Sequence, residues 1–205
     1  AGYPTRGSLQ SYSNLAVESW RSFVQEKYRT LDAVNAAWGF SLGAWNEVYP
    51  PSGLGPSDGS GDFFKKRKHF SPYGKDFFDW YQDSLLEHGR LVLSKAFEVF
   101  DAPGADFAGI DLGAKIAGVH WRAKSDRLAE LASGLLRTSD VGWSEDALGH
   151  GYSKVIALFK TAGAKRTARL QLHYTCLEKG NGEDGEFAQS EAKSTVFSGS
   201  RSRRF

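Results

Sequence analysis

Methionine is absent from the 205 residues, position 1 included, and cysteine occurs once. A single thiol excludes an internal disulfide, and it leaves the redox compartment open. Proline is sparse and works as punctuation: Pro50, Pro51 and Pro56 share one short loop, Pro72 stands at a helix start and Pro103 at a helix stop. Neither sign of charge is in marked excess. A formal net charge of +2 is too small to imply a nucleic-acid or membrane partner. No apolar run approaches the roughly 20 residues of a transmembrane helix, and the opening residues lack the charged-then-apolar pattern of a leader.

What is present is an ordinary globular composition. Hydrophobic residues make up 40% and charged ones 24%, as in a soluble domain with a substantial core. Aromatics reach 14% with six Trp; most of these rings are expected in the core, leaving a few for stacking on a ligand. From Ser190 to Phe205 the chain turns to Ser, Gly and Arg, which predicts a disordered basic tail. Such a tail, and a start without methionine, predict a segment cut from a longer reading frame.

Asn14 can cap a helix whose apolar positions are Leu15, Trp20, Phe23, Val24 and Tyr28. Thr30 opens a second helix, Leu31 to Trp38, that Gly39 ends. The run Lys65-Lys66-Arg67-Lys68-His69 reads as a solvated basic loop. Ser71-Pro72 starts a long helix whose predicted buried stripe is Phe77, Tyr81, Leu85, His88, Val92, Ala96 and Val99, with His88 as a core histidine. After Pro103-Gly104, Ile110 to Trp121 reads as a buried strand of a parallel sheet. A further helix runs from Ser144 to Gly163, burying Leu148, Tyr152, Val155, Ile156 and Phe159. Ala168 to Thr175 alternates as the second strand. Helix, strand, helix, strand is the rhythm of a βα unit.

The strand ends carry the candidate chemistry. Lys115 sits inside the first apolar run, and a His120-Trp121 pair follows five positions on. An imidazole donor or acceptor beside a flat indole face suits a sugar ring. A lysine buried in such a strand needs a partner or water. The second strand ends in Thr175-Cys176-Leu177-Glu178, a hydroxyl, a thiol and a carboxylate. The bland readings stand beside these: His120 and Trp121 as core, Thr175 as a β-branched strand residue, Cys176 as a small buried hydrophobe.

Lys115-Ile116-Ala117-Gly118-Val119-His120-Trp121 and Thr175-Cys176-Leu177-Glu178 together resemble the strand-end motifs of beta-amylases, the family 14 glycoside hydrolases. Tyr3-Pro4 with Gly7, Gln10 and Tyr12 is similar to the loop after that family's catalytic-acid motif in bacterial members. Tyr73 to Tyr81 resembles the opening of its long helix, and Ala129-Glu130-Leu131 a segment after the Lys-His strand. The resemblance implies a (β/α)8 barrel, present here in part, with about two strands, their long helices and loops over residues 1–189 and the tail at 190–205. It also implies an enzyme that releases maltose from the non-reducing ends of α-1,4-glucan with inversion. Carried over, Lys115 hydrogen-bonds sugar hydroxyls, His120 and Trp121 line glucose subsites, and Thr175 lies on an inner loop that contacts substrate. The partner would be an α-1,4-glucan or malto-oligosaccharide. No metal or cofactor is expected, and secretion is implied if the chain is like bacterial members.

The departures matter as much. An inverting glycosidase needs one carboxyl as acid and another as base, with room for a water between them. The family's acid motif, Gly-Glu-Leu-Arg-Tyr-Pro, and its base motif, Gly-Glu-Asn, do not occur in these 205 residues. Glu183 and Glu186 fall in an acidic loop and read as solvated. Arg122 and Lys179 stand where the family usually has apolar residues. No residue is therefore assigned a catalytic role. A related barrel glycosidase of the beta-galactosidase type, and a non-catalytic carbohydrate-binding remnant, remain the alternatives.

Overall fold

The computed structural model describes residues 11–51, 68–107, 109–116, 152–174 and 202–204. Two compact units divide it, and the boundary falls inside the longest helix, between Tyr81 and Gln82.

The first unit is built on two helices and the start of a third. Helix α1, Asn14–Tyr28, is capped by Ser13, whose hydroxyl accepts from the Ala16 amide at 3.2 Å. Ser13, one residue earlier than expected, holds the extended backbone an N-cap requires. Leu15 is exposed, and Val17 takes its place on the buried face with Trp20 and Val24. Helix α2, Leu31–Trp38, has the predicted limits: Thr30 Oγ1 accepts from the Ala33 amide, and Gly39 closes it at φ +70°. A glycine meets no steric penalty in that left-handed cap. A single 3-10 turn, Trp45–Glu47, follows.

Helix α3, Pro72–Phe100, opens as the Ser71-Pro72 pair predicts, with the Ser71 hydroxyl accepting from the Gly74 amide at 3.1 Å. Its first turns close the aromatic core of the first unit. Trp20 stacks on Trp38 at 5.8 Å between ring centroids and meets Tyr73, Phe77 and Trp80 edge-on.

Further along α3 the buried face differs from the expected stripe. Leu85, Val92 and Val99 are exposed, and so is His88, which is therefore no core histidine. Gln82 and Leu93 are buried instead, and Gly89 lets Leu158 within 3.6 Å of where a β-carbon would be. Gly89 and Leu93, one turn apart, lie on the side of α3 that meets Leu158.

In the second unit α3 leads to strand β1, Leu112–Ile116, then to helix α4, Tyr152–Gly163, and strand β2, Leu170–Tyr174. β1 and β2 are parallel, paired Leu112 with Leu170 through Ile116 with Tyr174. Parallel neighbours need a crossover, and α4, which packs on β2, lies within it. Leu170 and Leu172 are fully buried, as the alternation predicts; of the expected face of α4, Phe159 is buried while Val155 and Ile156 are only half-buried. A short strand β3, Ser202–Arg204, pairs antiparallel with the other edge of β2. Within the tail that composition predicts to be disordered, residues 202–204 thus hold a paired strand; residues 190–201 and 205 lie outside the described residues.

Candidate functional site

Parallel strands with matched register put directly paired residues on one face. Leu112, Ala114 and Ile116 of β1 thus share a face with Leu170 and Leu172 of β2, the covered side of the sheet. The opposite face carries Gly113 and Lys115 of β1 and Gln171 and His173 of β2. Lys115 stands one residue before the C-terminal end of β1 and is register partner of His173, one residue before the end of β2.

Lys115 is exposed and His173 half-buried. β1 is therefore not buried on both faces, which corrects the expectation of an apolar, enclosed strand. No burial cost forces a partner on Lys115; its ammonium is available to a ligand. The His173 imidazole leans back over Gly113, with Nε2 3.1 Å and Cδ2 3.3 Å from the position a β-carbon there would take. Sequence reading gave His173 no role beyond alternation, because only the strand register brings it beside Lys115.

The other end of the same two strands is closed by charge. Arg166 donates from Nε to Asp101 Oδ2 and from Nη2 to Asp101 Oδ1, both at 2.7 Å. It also reaches the carbonyls of Arg169 and Ile110 at 3.0 and 3.1 Å and lies over the Phe97 ring. Asp111 accepts from the Arg169 amide and Nε. These bonds tie the start of β1 to the start of β2, and the hydrogen bonds from Arg166 hold the Asp101 carboxyl below its usual range. The end of the sheet where β1 and β2 start is thus clamped by charge.

Of the other sequence-predicted site residues, His120, Trp121 and Thr175 lie outside the described residues, as do Cys176 and Glu178. A cavity of about 180 Å³ between α3 and α4 is lined by Leu93, Phe97, Leu158 and Ala162 among others. No residue of β1 or β2 lines it, so it is separate from the face that carries Lys115. Among the described residues no group of three His, Cys, Asp or Glu could hold a metal, and no helix is long and apolar enough to cross a membrane.

The Tyr73–Tyr81 motif proves architectural. Asp76, 2% exposed, accepts from Lys27 Nζ, from the Tyr28 hydroxyl at 2.6 Å and from Trp38 Nε1 at 2.8 Å. One carboxylate therefore joins α1, α2 and α3. Burial, then the hydrogen bond to Asp76, pushes the Tyr28 phenol up to about 12. The sequence offers Asp76 and Asp79 among aromatics, and nothing in the motif singles out Asp76 as the one that three donors meet.

Comparison with known proteins fits this geometry. The profile of glycosyl hydrolase family 14 matches residues 1–202. A beta/alpha-amylase of Paenibacillus polymyxa is 34% identical over 176 residues, covering 86% of this chain and 12% of that protein. A beta-amylase of Cytobacillus firmus is 34% identical over 176 residues, 86% of this chain and 32% of that one. The crystal structure of the catalytic domain of beta-amylase from Paenibacillus polymyxa superposes with a TM-score of 0.65 at 31% identity, over 91% of this chain and 39% of that chain. This chain thus spans under a third of the length of these curated relatives. Its parallel strands and helices are part of a (β/α)8 barrel, as expected, and the chain belongs to glycosyl hydrolase family 14.

Proposed function

We propose that this chain forms one wall of the α-1,4-glucan cleft of a beta-amylase-type, inverting glycoside hydrolase, with Lys115, His120, Trp121 and Thr175 as its sugar contacts. The observation that carries this reading is the place of Lys115: exposed, at the C-terminal end of a parallel strand, on the face opposite the buried leucines. Barrel enzymes build their sites at that end of the strands. Lys115 donates to sugar hydroxyls, Trp121 supplies a stacking face, and His120 and Thr175 supply further polar contacts. The related beta-galactosidase-type reading is disfavoured, because the relatives at 34% identity are amylases.

Hydrolysis needs an acid and a base across the cleft. With neither family motif in the 205 residues, this polypeptide on its own binds glucan and does not cleave it. The same absence favours the binding-remnant alternative. A longer reading frame with Gly-Glu-Leu-Arg upstream and Gly-Glu-Asn downstream would select the enzyme; a frame without them would select the remnant.

Titration with maltotriose, followed by tryptophan fluorescence, tests the wall itself. Half a cleft should bind at the millimolar end, about −4 kcal/mol, and Trp121→Ala should abolish the signal. Identical responses from the two proteins would remove the binding claim.

A further inference from the structure

Lys115 needs something beneath it. A lysine stem has four methylenes that seek apolar cover, and the residue two positions back on its own face is Gly113, which has no side chain to offer. That glycine leaves a hole one residue deeper in the sheet. His173, paired with Lys115 across the strands, fills it from β2: its ring edge lies 3.1 Å from the missing β-carbon. On its other side His173 is register partner of Ser202 in β3, so the backbone that carries the ring is paired on both edges.

We infer that His173 is the positioning residue of Lys115. Its imidazole occupies the space over Gly113 and denies that space to the lysine stem, which keeps the side chain of Lys115 exposed. Gly113 is the complementary half of the device, since a side chain there would lift the ring. The consequence for sugar binding rests on Lys115 being a glucan contact, as proposed above; the placement of the lysine does not.

The test reads Lys115 directly, in the 205-residue chain, without sugar. The rate at which an amine-reactive ester labels each lysine is followed by peptide mass spectrometry, with Lys154 and Lys160 as internal standards. In His173→Ala the stem drops into the vacated space, and Lys115 labelling should slow by roughly threefold, the lower range of coupling between neighbouring residues. His173→Phe, which keeps a ring, should restore the rate. Gly113→Ala should alter Lys115 labelling when His173 is present and leave it unchanged when residue 173 is alanine. An unchanged or faster Lys115 in His173→Ala, or an equal effect of Gly113→Ala in both backgrounds, overturns the assignment. If His173→Ala does not fold, Gly113→Ala alone decides: unaltered circular dichroism with unaltered Lys115 labelling overturns it. Repeating the wild-type experiment with maltotriose separates the two readings. Protection of Lys115 supports the sugar contact. No protection, with dependence on His173 intact, removes the sugar contact and leaves the positioning role standing.

Discussion

Arg166 and Asp101 form a two-point ion pair, both N–O distances 2.7 Å, that joins the end of the long helix to the loop before β2. The Arg166 side chain is 1% exposed, so the pair is among the few charged contacts here with little solvent screening on one partner.

Arg166→Ala should therefore destabilise the second unit by about 2 kcal/mol, the loss of charged hydrogen bonds at a covered site. A lowered urea midpoint, with the spectrum of the first unit unaffected, is the check. The Asp101 carboxyl titrates lower in the fold than in the open chain. Its contribution is thus complete above the ordinary carboxylate range near pH 4 and is lost as pH falls through the lowered folded value. Asp101→Asn should flatten the acid limb of the stability profile; an unchanged limb would mean that other carboxylates control it.

In the first unit Asp76 of α3 collects three donors from two other helices, Lys27 and Tyr28 of α1 and Trp38 of α2. Replacement by alanine strands Lys27, the half-buried Tyr28 hydroxyl and the buried Trp38 indole and should cost roughly 2–4 kcal/mol. Asp76→Asn should also lower the Tyr28 pKa from about 12 part of the way to 10, since burial remains. The sign follows from the raised value: this stabilisation is full below pH 10 and is lost as pH rises through about 12. Tyrosinate absorbance during an alkaline titration would show both effects.

Maltose release from soluble starch by this polypeptide should not exceed that of a heat-killed control. A rate clearly above it would point to Glu178, Glu183 or Glu186 as an acid or base that the family motifs do not identify.

Local signals were legible where one residue type decides the outcome. Thr30, Gly39 and Ser71-Pro72 set helix ends by cap chemistry alone, and the Leu170–Leu172 alternation set the buried side of β2. The buried face of the long helix was not legible. Its apolar residues occupy more than one side, and the true contact face includes Gly89 and Gln82, which give no hydrophobic signal. The Lys115 motif could be placed on a strand end, but its exposure and its neighbour His173 depend on a pairing between distant strands. Asp76 was hidden for the same reason: its partners Lys27, Tyr28 and Trp38 come from two other helices.

A crystal structure of this chain grown with millimolar maltotriose would test the central claim most directly. A sugar hydroxyl is expected within hydrogen-bond reach of Lys115 Nζ, with His120, Trp121 and Thr175 facing the same cleft. Sugar bound elsewhere, or His120 and Thr175 turned to the side of the sheet that buries Leu170 and Leu172, would contradict it.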